Sequence, residues 1–167
     1  MAEHASADCV IVGGGIGGAV LALALARHGH RIILLEREHQ PVLATRPEIL
    51  ARSTLEVFHR LGVGDRIMHD AVVPLQALEV YQAGGKRLFE LSTTAFRQAN
   101  AQPYSTDPAA TRRILLESAS ATVYVLRGVE VTGLLREAEQ VVGVQAVRGQ
   151  DSLTVNARLV IGDDGVR

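Results

Sequence analysis

At 167 residues, 47% of them hydrophobic, the chain has the size and apolar content of one ordinary domain with a real core. Lys and Arg total 17 against 18 for Asp and Glu, so no basic stripe is available for nucleic acid. A single cysteine, Cys9, excludes an internal disulfide and fits a reducing, cytoplasmic location, and the six histidines lack metal-ligand spacing.

Residues 1–7 read as a small, polar, mobile tail. Asp8 to Val12 is an apolar run of β-formers, followed at once by Gly13, Gly15 and Gly18 at G-x-G-x-x-G spacing. A helix is predicted from Ile16 to His28, broken by Gly29, and a second strand from Arg31 to Leu35 ends at Glu36. Each glycine has a mechanical reason. Gly13 allows a tight turn off the strand, Gly15 lets a pyrophosphate approach the backbone, and Gly18 lets helix and strand pack closely. The free N–H groups at the helix start favour an anion. Glu36 lies 18 residues after Gly18, close to the ~20 expected of an acid that binds an adenosine ribose. The turn therefore reads as a site for an ADP half, which FAD and NAD share. Val10 to Ala26 carries no charge, but it is short for a membrane span of about 20 residues and holds five glycines. The acidic MAEHASAD before it does not suit a signal peptide.

Pro41 and Pro47 keep the next stretch a loop, with Pro47 suited to the first position of a helix over Glu48 to Leu61. A short helix follows from Asp65 to Asp70. Leu75 to Gln82 alternates, Ala83-Gly84-Gly85 turns, and Lys86 to Leu91 returns, which predicts a β-hairpin inserted into the α/β scaffold. Ser92 to Pro108 shows no periodicity and reads as a long loop. Ala109 to Ala119 is a helix with Arg112 and Arg113 near its start. The last third is strands: Thr122–Leu126, then a three-stranded meander over Val129–Arg136, Val141–Val147 and Ser152–Ala157. A separate apolar run, Arg158–Ile161, ends in GDDG.

A G-x-G-x-x-G turn with its acid, a meander, and a strand ending in GDDG together resemble the FAD-dependent aromatic-ring hydroxylases typified by para-hydroxybenzoate hydroxylase. The resemblance covers nearly the whole chain but only the N-terminal part of that family's fold. It implies an α/β, Rossmann-like FAD-binding fold with an inserted β-hairpin and a three-stranded antiparallel β-meander, forming one FAD-binding domain over 1–167. By the same resemblance, Gly13, Gly15 and Gly18 receive the FAD pyrophosphate. Glu36 takes the adenosine ribose, with Arg37 beside it. Arg46 in RPEIL and Arg112 in RRIL reach toward the flavin nucleotide. The backbone of Val131 meets the adenine, and Asp164-Gly165 is the D-G pair tied to FAD and NADPH. The serine, the helix and the second G-D motif that follow in the family are not in this sequence, so it reads as a truncated N-terminal portion with most of the substrate domain missing.

The resemblance implies a monooxygenase that uses NAD(P)H and O2 to hydroxylate an aromatic or similarly electron-rich small molecule. No catalytic residue, no oligomeric state and no substrate identity follows from it. Two other readings stay open at this stage: an NAD(P)-dependent dehydrogenase, and a truncated nucleotide-binding module without turnover. The late D-G strand and the meander favour FAD over a dehydrogenase.

Overall fold

In the computed structural model, residues 3–40, 48–98, 102–119 and 121–165 are described. In chain order the elements begin with β1 (Glu3–Val12), α1 (Ile16–Arg27), β2 (Ile32–Glu36), β3 (Glu48–Leu50), α2 (Arg52–Arg60) and α3 (Gly64–Asp70). They continue with β4 (Val72–Pro74), β5 (Ala77–Tyr81), β6 (Arg87–Ser92), α4 (Thr93–Gln98), β7 (Tyr104–Thr106) and α5 (Pro108–Ser118). The chain ends in β8 (Val123–Arg127), β9 (Glu130–Glu137), β10 (Gln140–Arg148) and β11 (Asp151–Gly162). These elements gather into two compact units, Met1–Leu43 with Arg112–Arg167, and Ala44–Thr111.

The first unit holds a six-stranded sheet in the order β8-β2-β1-β11-β10-β9. β8, β2, β1 and β11 run parallel, while β11, β10 and β9 form the antiparallel meander. The sequence explains the difference. A parallel strand buried on both faces reads as an unbroken apolar run. Ile32 to Leu35 is such a run and is buried at all four positions. Strand β9 carries a mixed sequence and alternates in burial over most of its length, and β10 mixes buried and exposed positions. Val10, Ile33, Leu35, Val144 and Val155 share one core cluster. Ile11, Ile32 and Leu34, one residue out of phase, are buried on the other face. α1 packs against β1, β2 and β8. Its buried residues are small or slim (Gly18, Ala19, Ala22, Leu23), which allows close approach to the sheet.

Two sequence expectations change here. Residues 3–7 are no tail: they belong to β1, and Glu3 to Ala7 pair in register with Leu153 to Ala157. The third meander strand and the apolar run after it are one strand, β11. Its first half pairs with β10 and nearly its whole length pairs with β1. The polar start of β1 needs no apolar signal of its own, because its hydrogen-bond partner is supplied from the far end of the chain. Cys9 lies inside β1, 3% exposed, and burial pushes its thiol pKa up. It behaves as a small core residue.

The second unit holds a three-stranded antiparallel sheet, β3-β7-β4, and the β5–β6 hairpin. The hairpin turn stands where the sequence places it, with Gly84 and Gly85 at φ +103° and +87°. Leu55, Phe58, Val63 and Ile67 of the α2–α3 region are buried. The Thr106 hydroxyl donates to the Ala71 carbonyl (3.1 Å) and lies 2.6 Å from the Thr111 hydroxyl. Two corrections apply here as well. The helix predicted from Glu48 begins only at Arg52, and Glu48 to Leu50 form β3, paired with β7. The loop predicted over 92–108 contains α4 and β7. Both elements are too short to print a period on the sequence. Pro41 and Pro47 lie outside the described residues.

Among the described residues, no helix is long and apolar enough to cross a membrane.

Candidate functional site

The parallel register sets three strand ends side by side. Val12 of β1 stands opposite Leu35 of β2 and Gly162 of β11. Three backbone bonds lace the loops that leave these ends. The Gly13 N–H donates to the Leu35 carbonyl (2.8 Å), the Asp163 N–H to that of Val12 (2.7 Å), and the Val129 N–H to that of Glu36 (3.0 Å). A crevice outside the carboxyl ends of parallel strands is where open α/β sheets bind ligands. A cavity of about 500 Å3 lies here. Gly13, Glu36, Arg37, Val131, Asp164 and Gly165 line it, together with Val12, Leu35, Val129 and Glu130.

The glycines of the turn have different tasks. Gly13 has φ +109°, and a Cβ on it would overlap the Asp163 carbonyl. A Cβ on Gly18 would overlap the Gly13 carbonyl oxygen. These two glycines are required by the protein's own packing. Gly15 is different. Its φ is an ordinary −67°, and a Cβ there would meet nothing closer than Asp163 Oδ2 at 3.9 Å. No internal packing demands glycine at this position, and the space beside it is open. α1 begins directly behind it. No side chain caps the helix and its first turn holds no acidic residue, which leaves N–H groups facing that space.

Glu36 is held by backbone donors. The Gly14 N–H donates to Oε2 (3.0 Å) and the Glu38 N–H to Oε1 (2.9 Å). Each oxygen keeps accepting capacity for a further donor. Arg37 is solvent-facing and pairs loosely with Glu38 (3.8 Å).

Arg112, in the second turn of α5, reaches the glycine turn. Its Nη1 donates to the Gly14 carbonyl at 3.3 Å. Its Nη2 is buried and has no partner among the described residues. Burial and the neighbouring Arg127 charge hold its pKa below the usual arginine range, and Glu36 partly opposes them. A guanidinium donor left unpaired inside a protein is costly. Here it stands at the turn that leaves room at Gly15, as an anionic or carbonyl-bearing ligand would require.

Of the ten residues singled out from sequence, six line the cavity, two more (Gly15, Gly18) belong to the glycine turn, and Arg112 of α5 is hydrogen-bonded to that turn. Arg46 lies outside the described residues. Sequence reasoning missed Gly14, whose N–H fixes Glu36, and Glu130 and Val129, which complete the wall. It also missed Arg127, which stands opposite Glu36 in the β2–β8 register. A cation ending a strand beside the acid-bearing strand would have been the signal for Arg127. Nothing local marks the others. Among the described residues, no group of His, Cys, Asp and Glu could hold a metal.

Comparison with known proteins gives the family of the chain. A family model described as "FAD binding domain" matches residues 6–167. The chain is 31% identical over 173 residues to 6-methylpretetramide 4-monooxygenase of Streptomyces rimosus, covering 98% of this chain and 40% of that protein. It is 34% identical over 97 residues to 3-hydroxybenzoate 6-hydroxylase of Klebsiella oxytoca, covering 58% of this chain and 24% of that one. The chain thus spans well under half the length of these relatives. Among solved structures it superposes on the flavin-dependent monooxygenase PieE, solved in complex with FAD and substrate. That match has a TM-score of 0.80 at 22% identity over 97% of this chain and 31% of PieE, a likeness of fold.

Proposed function

This chain belongs to the FAD binding domain family, and from that membership we propose that it is the FAD-binding portion of a flavin-dependent monooxygenase. In this reading the whole enzyme uses NAD(P)H and O2 to hydroxylate an aromatic small molecule, and residues 1–167 form a single FAD-binding domain. The observation that carries the choice of reaction is the similarity to a monooxygenase along 98% of the chain. The aromatic substrate class rests on the hydroxybenzoate named for the second relative.

The residues fit the cofactor. The open space at Gly15 and the uncapped N–H groups of α1 suit the diphosphate. Glu36, already oriented by two backbone donors, keeps lone pairs for the ribose hydroxyls. Val131 offers backbone to the adenine from the cavity wall, which Arg37 and Asp164-Gly165 also line. Arg112 brings its unpaired Nη2 to the flavin nucleotide, with Arg46 as a second arginine for the same part. When bound, FAD supplies the redox chemistry: it accepts a hydride and passes electrons to O2. The protein's own residues bind, orient and neutralise, and none of them has to act as a nucleophile.

The test is NAD(P)H consumption by the full-length enzyme with FAD and a panel of phenols and aminobenzoates. Oxidation stimulated by an aromatic compound, with an oxygen atom from O2 in the product, is the expected result. A full-length protein that holds FAD and turns over with none of them would instead be a nucleotide-binding module.

A further inference from the structure

The carboxylate of Asp163 lies against the glycine turn. Both of its oxygens fall 2.9 Å from where a Cβ on Gly17 would stand. Oδ2 falls 3.2 Å from the corresponding point on Gly18 and 3.9 Å from that on Gly15. The side chain is half-buried and has no hydrogen-bond or ion-pair partner among the described residues. Backbone contacts fix it in place: its N–H donates to the Val12 carbonyl at 2.7 Å, and its own carbonyl packs on Gly13. A negative charge is therefore held beside the first turn of a 12-residue helix that no side chain caps.

We propose that Asp163 is a built-in anion that weakens the hold of the glycine turn on the cofactor's diphosphate. The inference rests on the FAD reading above. The N–H groups of the α1 terminus attract a carboxylate and a diphosphate alike, so the two anions share one positive end and repel each other. Asp164, by contrast, lines the cavity from its exposed side, so the two acids of GDDG face different surroundings. The consequence is a cofactor held less tightly than the turn alone would hold it, and one that exchanges more readily.

The test compares the full-length protein, freed of cofactor, with its Asp163→Asn variant, which keeps the shape, and its Asp163→Ala variant, which removes the group. ADP, FAD and adenosine are titrated by calorimetry at low and high salt. Both variants are expected to bind ADP and FAD roughly three- to tenfold tighter at low salt, a fair range for one removed charge at this distance in partly aqueous surroundings. The gain shrinks at high salt, and adenosine, which has no phosphate, binds as before. Equal or weaker ADP binding by the variants overturns the proposal, as does an equal gain for adenosine, which would report a reshaped pocket. If wild type and variants all fail to bind ADP and FAD while adenosine also gives no heat, the FAD reading falls and this inference with it.

Discussion

Replacing Arg112 with methionine is expected to weaken FAD binding while making the cofactor-free protein more stable. The two effects have one cause. In the protein alone, Arg112 spends one donor on the Gly14 carbonyl and leaves Nη2 buried without a partner. Methionine matches the length of the stem without a charge to desolvate. Removing an imperfectly paired buried charge commonly raises stability by about 1 kcal/mol or more. With cofactor present, the balance reverses. A hydrogen bond from a charged donor contributes about 1.5–3 kcal/mol, so the affinity for FAD should fall roughly ten- to a hundredfold. Thermal melts without ligand and a flavin-fluorescence titration read the two quantities separately. Loss of stability without loss of affinity would make Arg112 a packing residue.

The second large effect is a contrast between two glycines of the same turn. Gly18→Ala should destabilise the fold by about 3 kcal/mol, the upper end for a forced overlap in a tight core. Its new methyl would collide with the Gly13 carbonyl oxygen, a backbone atom of a residue whose N–H is bonded to the Leu35 carbonyl. Gly15→Ala should leave stability within about 0.5 kcal/mol of the parent, since its methyl meets nothing inside 3.9 Å and its φ suits any residue. The methyl would instead stand where the diphosphate approaches, and FAD affinity should drop about tenfold or more. Denaturant melts and FAD titrations of both variants decide it. A Gly15→Ala protein that binds FAD as well as the parent would remove Gly15 from the site.

These contrasts show which parts of the molecule were legible in the sequence. The strand-turn-helix-strand from Asp8 to Glu36 was readable because its constraints are local. The glycine spacing, the apolar runs and the acid that ends β2 all lie within one stretch of chain. The β5–β6 hairpin was readable for the same reason, since Gly84-Gly85 fixes its turn. What escaped depends on partners distant in sequence. Glu3 to Ala7 become a strand only because Leu153 to Ala157 lie beside them. Glu48 to Leu50 leave a helical pattern because β7 offers hydrogen bonds. The site divides in the same way. Glu36 was identified, but not the Gly14 N–H that orients it. The second acid of GDDG was singled out, while the first, Asp163, gains its meaning only from packing on a turn some 150 residues earlier.

The proposed function requires that the glycine turn and its surroundings hold FAD. Purified chain mixed with FAD and passed over a sizing column should carry flavin through, one FAD per chain, and release it on denaturation. A folded chain that emerges colourless and leaves flavin fluorescence unchanged at saturating FAD would contradict the FAD-binding role.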